Sequence, residues 1–221
     1  SLANGHILQG ARNRLSIRRI RLDQRVIRWL SVKRNVLVKG LVFIELLKMA
    51  DGAFGETTVD RILNVTPLKS GGAYTAVGYY DCSELILLVD AFSKESGIAR
   101  PELERKFGHW VMGSFAVGYP DLFSKYDTAF GMLEAIEGDI HIEVRKLYPD
   151  AELPSFSTLR LSATELEMTY KSERPLANFC YGLIEACFKK YSETASVVMT
   201  DRTSGSEGDA VFLMSKDRAS K

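Results

Sequence analysis

The spacing of apolar residues changes at Pro154. Before this proline, apolar residues recur at steps of three and four, as over residues 133–147, which is typical of helices that face a core. After it, apolar and polar residues alternate, as over residues 166–170, which indicates strands. Helices come first and strands around one helix come later, so the sequence predicts an α+β fold.

The same patterns predict the individual elements. Helices are predicted over residues 39–52, 58–65, 81–96, 101–118, 133–147 and 176–191. Strands are predicted around residues 159–161, 166–174, 196–200 and 210–214, with a long hairpin loop over 201–209. We therefore expect an N-terminal helical part followed by a four-stranded antiparallel sheet with helices.

Three polar residues recur at every second position near the end of one predicted strand. They are Tyr170, Ser172 and Arg174. A period of two points them to the same side of an extended strand. Two hydroxyls and a planar guanidinium fork suit an anionic ligand that carries carboxylates or phosphates. On their own, Tyr170 is also an ordinary strand residue and Arg174 an ordinary solvated charge.

A histidine, His141, borders the apolar face of the predicted helix 133–147. A lone histidine in such a place is more often a core residue than a ligand. Together with a carboxylate clamp, however, a neutral imidazole is what a protein needs to hold a haem, with one ligand for iron and one anchor for the propionates.

These residues resemble the haem nitric oxide binding family (H-NOX, or HNOB), and the similarity extends from about Val38 to the C-terminus. The Tyr-x-Ser-x-Arg pattern matches the family's propionate-binding signature. The resemblance implies haem b (iron protoporphyrin IX) with His141 as the proximal iron ligand and Pro154 packed on the haem. It also implies that the haem lies between the helical part and the sheet, in a bacterial protein of the stand-alone type.

The resemblance also assigns a distal wall and a choice of gas. Oxygen-binding members carry a tyrosine five residues after the signature arginine, where this sequence has Phe179. The other positions that match the distal wall are all apolar: Val42, Leu46, Val111, Phe115 and Leu183. Bound oxygen needs a hydrogen-bond donor far more than nitric oxide or carbon monoxide does. We therefore expect binding of nitric oxide and carbon monoxide and exclusion of oxygen, unless Tyr181 or another tyrosine reaches the pocket.

Charge divides the chain into two domains. Ten of the 29 basic residues and one of the 28 acidic residues lie in the first 40 positions, which leaves residues 41–221 with a net charge of −8. Nucleic-acid binding by the acidic part, residues 38–221, is not expected. Residues 1–37 form a basic extension with three open interpretations: an arm for a membrane surface or nucleic acid, a disordered tail, or translated sequence upstream of the natural start.

The remaining features of the sequence do not mark an enzyme, and the family resemblance implies a signalling protein. Three unpaired cysteines (Cys82, Cys180 and Cys187) favour a reducing, cytoplasmic setting, and no apolar run is long enough to span a membrane. No catalytic constellation stands out. The resemblance implies a gas sensor that acts on a separate effector, often a histidine kinase or a cyclic-di-GMP enzyme. The alternative is a haem-free module that binds another anion or a protein.

Overall fold

The computed structural model of the chain describes residues 36–204 and 207–217. Its first part contains strands β1 (Leu37–Lys39) and β2 (Tyr79–Asp81) and helices α1 (Gly40–Phe54), α2 (Glu56–Val65), α3 (Cys82–Ser96) and α4 (Arg100–Gly118). Helices α5 (Pro120–Phe123) and α6 (Ala129–Glu134), a π-helical turn (Ile136–Ile140) and helix α7 (His141–Leu147) follow. The last part contains β3 (Ser155–Arg160), β4 (Glu165–Ser172), α8 (Ala177–Lys190), β5 (Ala195–Asp201) and β6 (Gly208–Lys216).

This element order confirms the predicted α+β class. Strands β3 to β6 form one antiparallel sheet in the order β3-β4-β6-β5. None of the helices within residues 36–204 and 207–217 combines the length and the apolar character needed to cross a bilayer.

The first turn of helix α3 has the N-cap bond of a capping box but lacks the return bond from the glutamate. The Asp81 carboxylate accepts from the Ser83 N–H at 2.9 Å, as expected of an N-cap residue. Glu84 does not reach back to the cap. Its carboxylate accepts from the Ser70 hydroxyl at 2.5 Å and from the Tyr74 hydroxyl at 2.9 Å. The buried Glu84 therefore fastens the loop between α2 and β2 to the helical part.

The predicted helix over residues 133–147 is not continuous. The Ile140 N–H donates to the Ala135 carbonyl at 3.2 Å, five residues back, so residues 136–140 form a π turn between α6 and α7. One extra residue in a turn rotates all later side chains by about 100° around the helix axis. His141, predicted at the border of the apolar face, is the first residue after this turn and is buried.

Two buried clusters form the core. The helical cluster comprises buried residues of β1 and α1 to α4, and the sheet cluster comprises buried residues of α5 to α8 and of the sheet. Phe115 packs against both clusters. The inner face of the sheet is made by Leu166, Met168 and Tyr170 on β4 and by Ala210, Phe212 and Met214 on β6.

The sequence pattern placed the wrong residues of β3 on the buried face of the sheet. Leu159 lies on the outer face of the sheet with 59% of its surface exposed, beside the solvent-side residue Glu167. Leu161 follows the strand and is also exposed. Phe156 is instead the inward residue, paired with Tyr170. This six-residue strand has one phenylalanine and one leucine, on opposite faces, so its sequence does not show which face is buried.

A two-stranded sheet, β1 with β2, was not predicted. Leu37 pairs with Asp81, and the Cys82 N–H donates to the Val36 carbonyl at 2.8 Å. Val36 and Leu37, the last residues of the predicted extension, are thus hydrogen-bonded to the haem-binding-domain side of the predicted boundary. Strands of three residues are too short to show an alternating pattern. Residues 1–35, which make up most of the basic extension 1–37 and its three interpretations, lie outside the described residues.

The free energy of unfolding should therefore fall when a truncation removes residues 35–37. A chain that starts at Val38 lacks the Val36 carbonyl and the Leu37 carbonyl, which accepts from the Arg174 side chain. A hydrogen bond to a charged group contributes about 1.5–3 kcal/mol. We expect urea unfolding to show at least this loss for a start at Val38 relative to a start at Asn35. Equal unfolding free energies for these two chains would show that β1 adds nothing.

Candidate functional site

A cavity of about 960 Å³ is lined by residues of both core clusters. This volume lies at the upper end of the range for small-molecule and cofactor pockets. The lining is mostly apolar and comes from β1, α1, α4, α7, β4, α8 and the segments between them. It contains His141, Pro154, Tyr170, Ser172 and Arg174, so the structure brings these predicted site residues together.

His141 is the first residue of α7 and is buried. Its Nδ1 lies 3.3 Å from Glu137 Oε1, but the ring is not aligned to donate, so Nδ1 has no aligned partner among the described residues. Burial lowers the pKa of His141, although Glu137 opposes this shift. The imidazole is therefore neutral at pH 7, which is the form that binds metals.

The three residues of the polar motif do not act as three parallel donors. The Tyr170 hydroxyl donates to the Arg174 carbonyl at 3.2 Å, and the Ser172 hydroxyl accepts from the Arg174 N–H at 3.1 Å. Burial raises the pKa of Tyr170 to about 12, so its hydroxyl stays protonated. Strand β4 ends at Ser172, and Arg174 lies in the bend beyond it. Tyr170 and Ser172 thus fix the backbone from which the Arg174 side chain extends.

The Arg174 guanidinium is buried and already holds a carboxylate. Its Nη2 donates to Glu152 Oε2 and its Nη1 to the Glu152 carbonyl, both at 2.9 Å. Its Nε donates to the Leu37 carbonyl at 3.2 Å, and Nη2 also contacts that oxygen. The Glu152 side chain is 56% exposed, whereas that of Arg174 is only 10% exposed. The buried guanidinium is thus paired with a carboxylate that is itself largely exposed to solvent.

Four of the six predicted distal residues line the cavity: Val42, Phe115, Phe179 and Leu183. Val42, Phe179 and Leu183 pack against the helical cluster. The other two, Leu46 and Val111, do not line the cavity. They are 0% and 2% exposed inside the helical cluster, so their side chains support the lining from behind.

Val42, Phe179 and Leu183 form one side of the cavity. Helix α8, which carries Phe179 and Leu183, also carries Tyr181, but the Tyr181 hydroxyl does not face this side. The Tyr181 hydroxyl donates to the Val197 carbonyl at 2.6 Å, and Tyr181 does not line the cavity. Other tyrosines do line the cavity, namely Tyr79, Tyr119, Tyr148 and Tyr170, and the Tyr119 hydroxyl lies 3.5 Å from that of Tyr148. Because its hydroxyl is bonded to β5, Tyr181 is not placed to donate a hydrogen bond to a gas in the cavity.

Several residues that line the cavity or contact His141 and Arg174 were not predicted from the sequence: Leu37, Met112, Glu137, Glu152 and Phe156. Only Glu137 had a readable signal, since it precedes His141 by four residues and so shares its face of a helix. The contacts of Leu37 and Glu152 with Arg174 join positions 137 and 22 residues apart. No local pattern encodes them.

The donor set fits a haem. A neutral, buried imidazole suits ferrous iron, and an arginine that holds a carboxylate suits a propionate. The apolar lining suits the porphyrin. This is the arrangement of a haem-based gas-binding sensor.

Known proteins agree with this class. The sequence model of the family described as Haem-NO-binding matches residues 39–199, so the chain belongs to this family. An unliganded Fe(II) H-NOX mutant from K. algicida is similar at 33% identity and a TM-score of 0.77, over 82% of this chain and 98% of that one. The H-NOX from Shewanella woodyi, solved in the Fe(II)CO state, is similar at 36% identity and a TM-score of 0.70, over 83% and 97%.

A third solved structure supports the fold alone. The H-NOX protein from S. oneidensis in the Fe(II)NO state is 20% identical, with a TM-score of 0.73 over 82% of this chain and 100% of that chain. No curated protein matches the sequence.

Proposed function

We propose that this chain binds nitric oxide on ferrous haem b and passes the signal to a separate effector protein. The observation that carries the proposal is the buried, neutral His141 in a large apolar cavity. The haem-free alternative would leave this imidazole and the apolar lining without a purpose. By family resemblance, the effector is a histidine kinase or a cyclic-di-GMP enzyme.

Each site residue has a distinct role in this proposal. His141 holds the iron, Arg174 binds a propionate in place of Glu152, and Pro154 packs against the porphyrin. Bound ferrous haem would supply an iron that takes up nitric oxide, with His141 as its protein ligand. Loss of the link between His141 and the iron would free α7, which a π turn joins to α6. A shift of α7 is the motion that an effector would sense.

The three cysteines are consistent with a cytoplasmic location. Cys82, Cys180 and Cys187 are free and buried. Burial raises the pKa of the Cys82 thiol to about 11, so it stays protonated and unreactive. We propose that the protein acts in a reducing compartment.

Haem uptake tests the proposal directly. Apoprotein titrated with haemin and then reduced should bind one haem per chain, with a Soret band that shifts when carbon monoxide is added. A chain that gives no Soret shift at any haemin ratio would instead support the haem-free alternative.

Substitution of Arg174 tests the carboxylate clamp. Arg174→Ala removes a charged hydrogen bond worth about 1.5–3 kcal/mol, so apomyoglobin should extract the haem about ten- to hundredfold faster. Arg174→Lys should restore only part of the retention, because the fork geometry is lost. Glu152→Gln is the matched control, since it removes the competing carboxylate and should not speed haem loss. Unchanged extraction from Arg174→Ala would refute the clamp.

A further inference from the structure

Glu137 is the carboxylate closest to the candidate iron ligand. It lies on the π turn, and its Oε1 is 3.3 Å from His141 Nδ1. The same oxygen accepts from the Phe156 N–H at 2.7 Å. Phe156 is on β3, and its ring centroid lies 5.7 Å from that of His141. The carboxylate is thus bonded to the sheet on one side and faces the buried imidazole on the other.

His141 Nδ1 needs such a partner. It is a buried nitrogen with no aligned hydrogen-bond partner among residues 36–204 and 207–217. A small rotation of the ring would aim an Nδ1–H at Glu137 Oε1, because the distance is already within hydrogen-bonding range. Histidines that bind metals usually donate their other ring N–H to a carboxylate or a carbonyl, which fixes the tautomer and raises the basicity of the metal-binding nitrogen.

We propose that Glu137 is a positioning residue that holds His141 in the Nδ1-protonated tautomer and ties its imidazole to strand β3. This inference deepens the proposed function and rests on His141 as the iron ligand. The tautomer leaves Nε2 as the nitrogen with a free lone pair. With haem bound, the carboxylate would raise the basicity of Nε2 and so would make His141 a stronger iron ligand.

A plain structural role for Glu137 is the competing explanation. Its bond to the Phe156 N–H alone would hold the π turn against β3. Glu137→Gln separates the two roles, because the amide oxygen can still accept from Phe156 while the negative charge is lost. Glu134→Gln is the matched control. Glu134 joins the preceding helix to the same strand through Arg160, at 2.9 Å, and does not line the cavity.

The first measurement uses the haem-free full chain. The ¹⁵N shifts of the His141 ring report its tautomer, which we expect to be the Nδ1-protonated form in the parent and in Glu134→Gln. Glu137→Gln should shift the population towards the other tautomer. A parent with an Nε2-protonated ring would overturn the inference. This arm needs no haem, so it remains decisive even if haem uptake, and with it the proposed function, fails.

The second measurement uses the ferrous, haem-loaded chain. Glu137→Gln should lower the Fe–His stretching frequency in the resonance Raman spectrum and speed haem loss about 10- to 100-fold, whereas Glu134→Gln should change neither. A Fe–His frequency in Glu137→Gln equal to that of the parent would overturn the inference and leave Glu137 with its structural bond to Phe156 alone.

Discussion

His141→Gly should purify with almost no haem, and imidazole in the growth medium and buffers should restore it. The substitution removes the candidate iron ligand and leaves a gap that free imidazole can enter. His141 is the histidine that lines the cavity within residues 36–204 and 207–217. Haem per chain, read from the Soret absorbance after purification with and without imidazole, is the measurement.

His109 offers the matched control. It is another histidine of the helical part, but it lies outside the cavity lining and its Nε2 is 3.0 Å from Glu185 Oε2. His109→Gly should keep the full haem content without imidazole. Full haem content and a parent-like spectrum in His141→Gly would show that another group binds the iron.

Ferrous protein exposed to air should show no oxygen-bound spectrum before slow oxidation, while carbon monoxide and nitric oxide bind. Val42, Phe179 and Leu183 line the cavity where it meets the helical cluster, and none of these three side chains can donate a hydrogen bond. A missing bond to a polarised ligand costs about 1.5–3 kcal/mol, which is about ten- to hundredfold in affinity. A stable oxygen-bound spectrum in air would contradict nitric oxide selectivity.

Phe179→Tyr should raise oxygen affinity by a similar factor. Phe179 lines the cavity on α8 and packs 5.0 Å from the Phe107 ring. A phenol at this position adds a hydroxyl next to the cavity. Phe54→Tyr is the control, because Phe54 packs against the helical cluster but does not line the cavity. Oxygen equilibria of both variants, measured against carbon monoxide, separate a local donor from a general change of stability.

The sequence reveals the parts of the site that local patterns encode. Tyr170, Ser172 and Arg174 follow one strand and its bend, and His141 follows a helical apolar face. All four line the cavity, although the sequence did not reveal that the hydroxyls serve the Arg174 backbone. Their roles towards haem remain proposals.

The parts that the sequence missed depend on tertiary structure. The π turn leaves the three- and four-residue spacing of residues 133–147 intact, so it cannot be read from the apolar pattern. Leu46 follows Val42 by one helical turn and shares its face, yet only Val42 reaches the cavity while Leu46 is buried. Such differences depend on where a helix meets the cavity, which is fixed by packing and not by spacing.

Nitric oxide added to the ferrous, haem-loaded chain tests the central claim most directly. With ¹⁵N-labelled histidine, the electron paramagnetic resonance spectrum shows whether a histidine nitrogen still coordinates the iron. We predict that nitric oxide removes the coupling to the His141 nitrogen, which means that α7 has lost its link to the cofactor. A spectrum that keeps the histidine coupling at saturating nitric oxide would contradict signalling through release of His141.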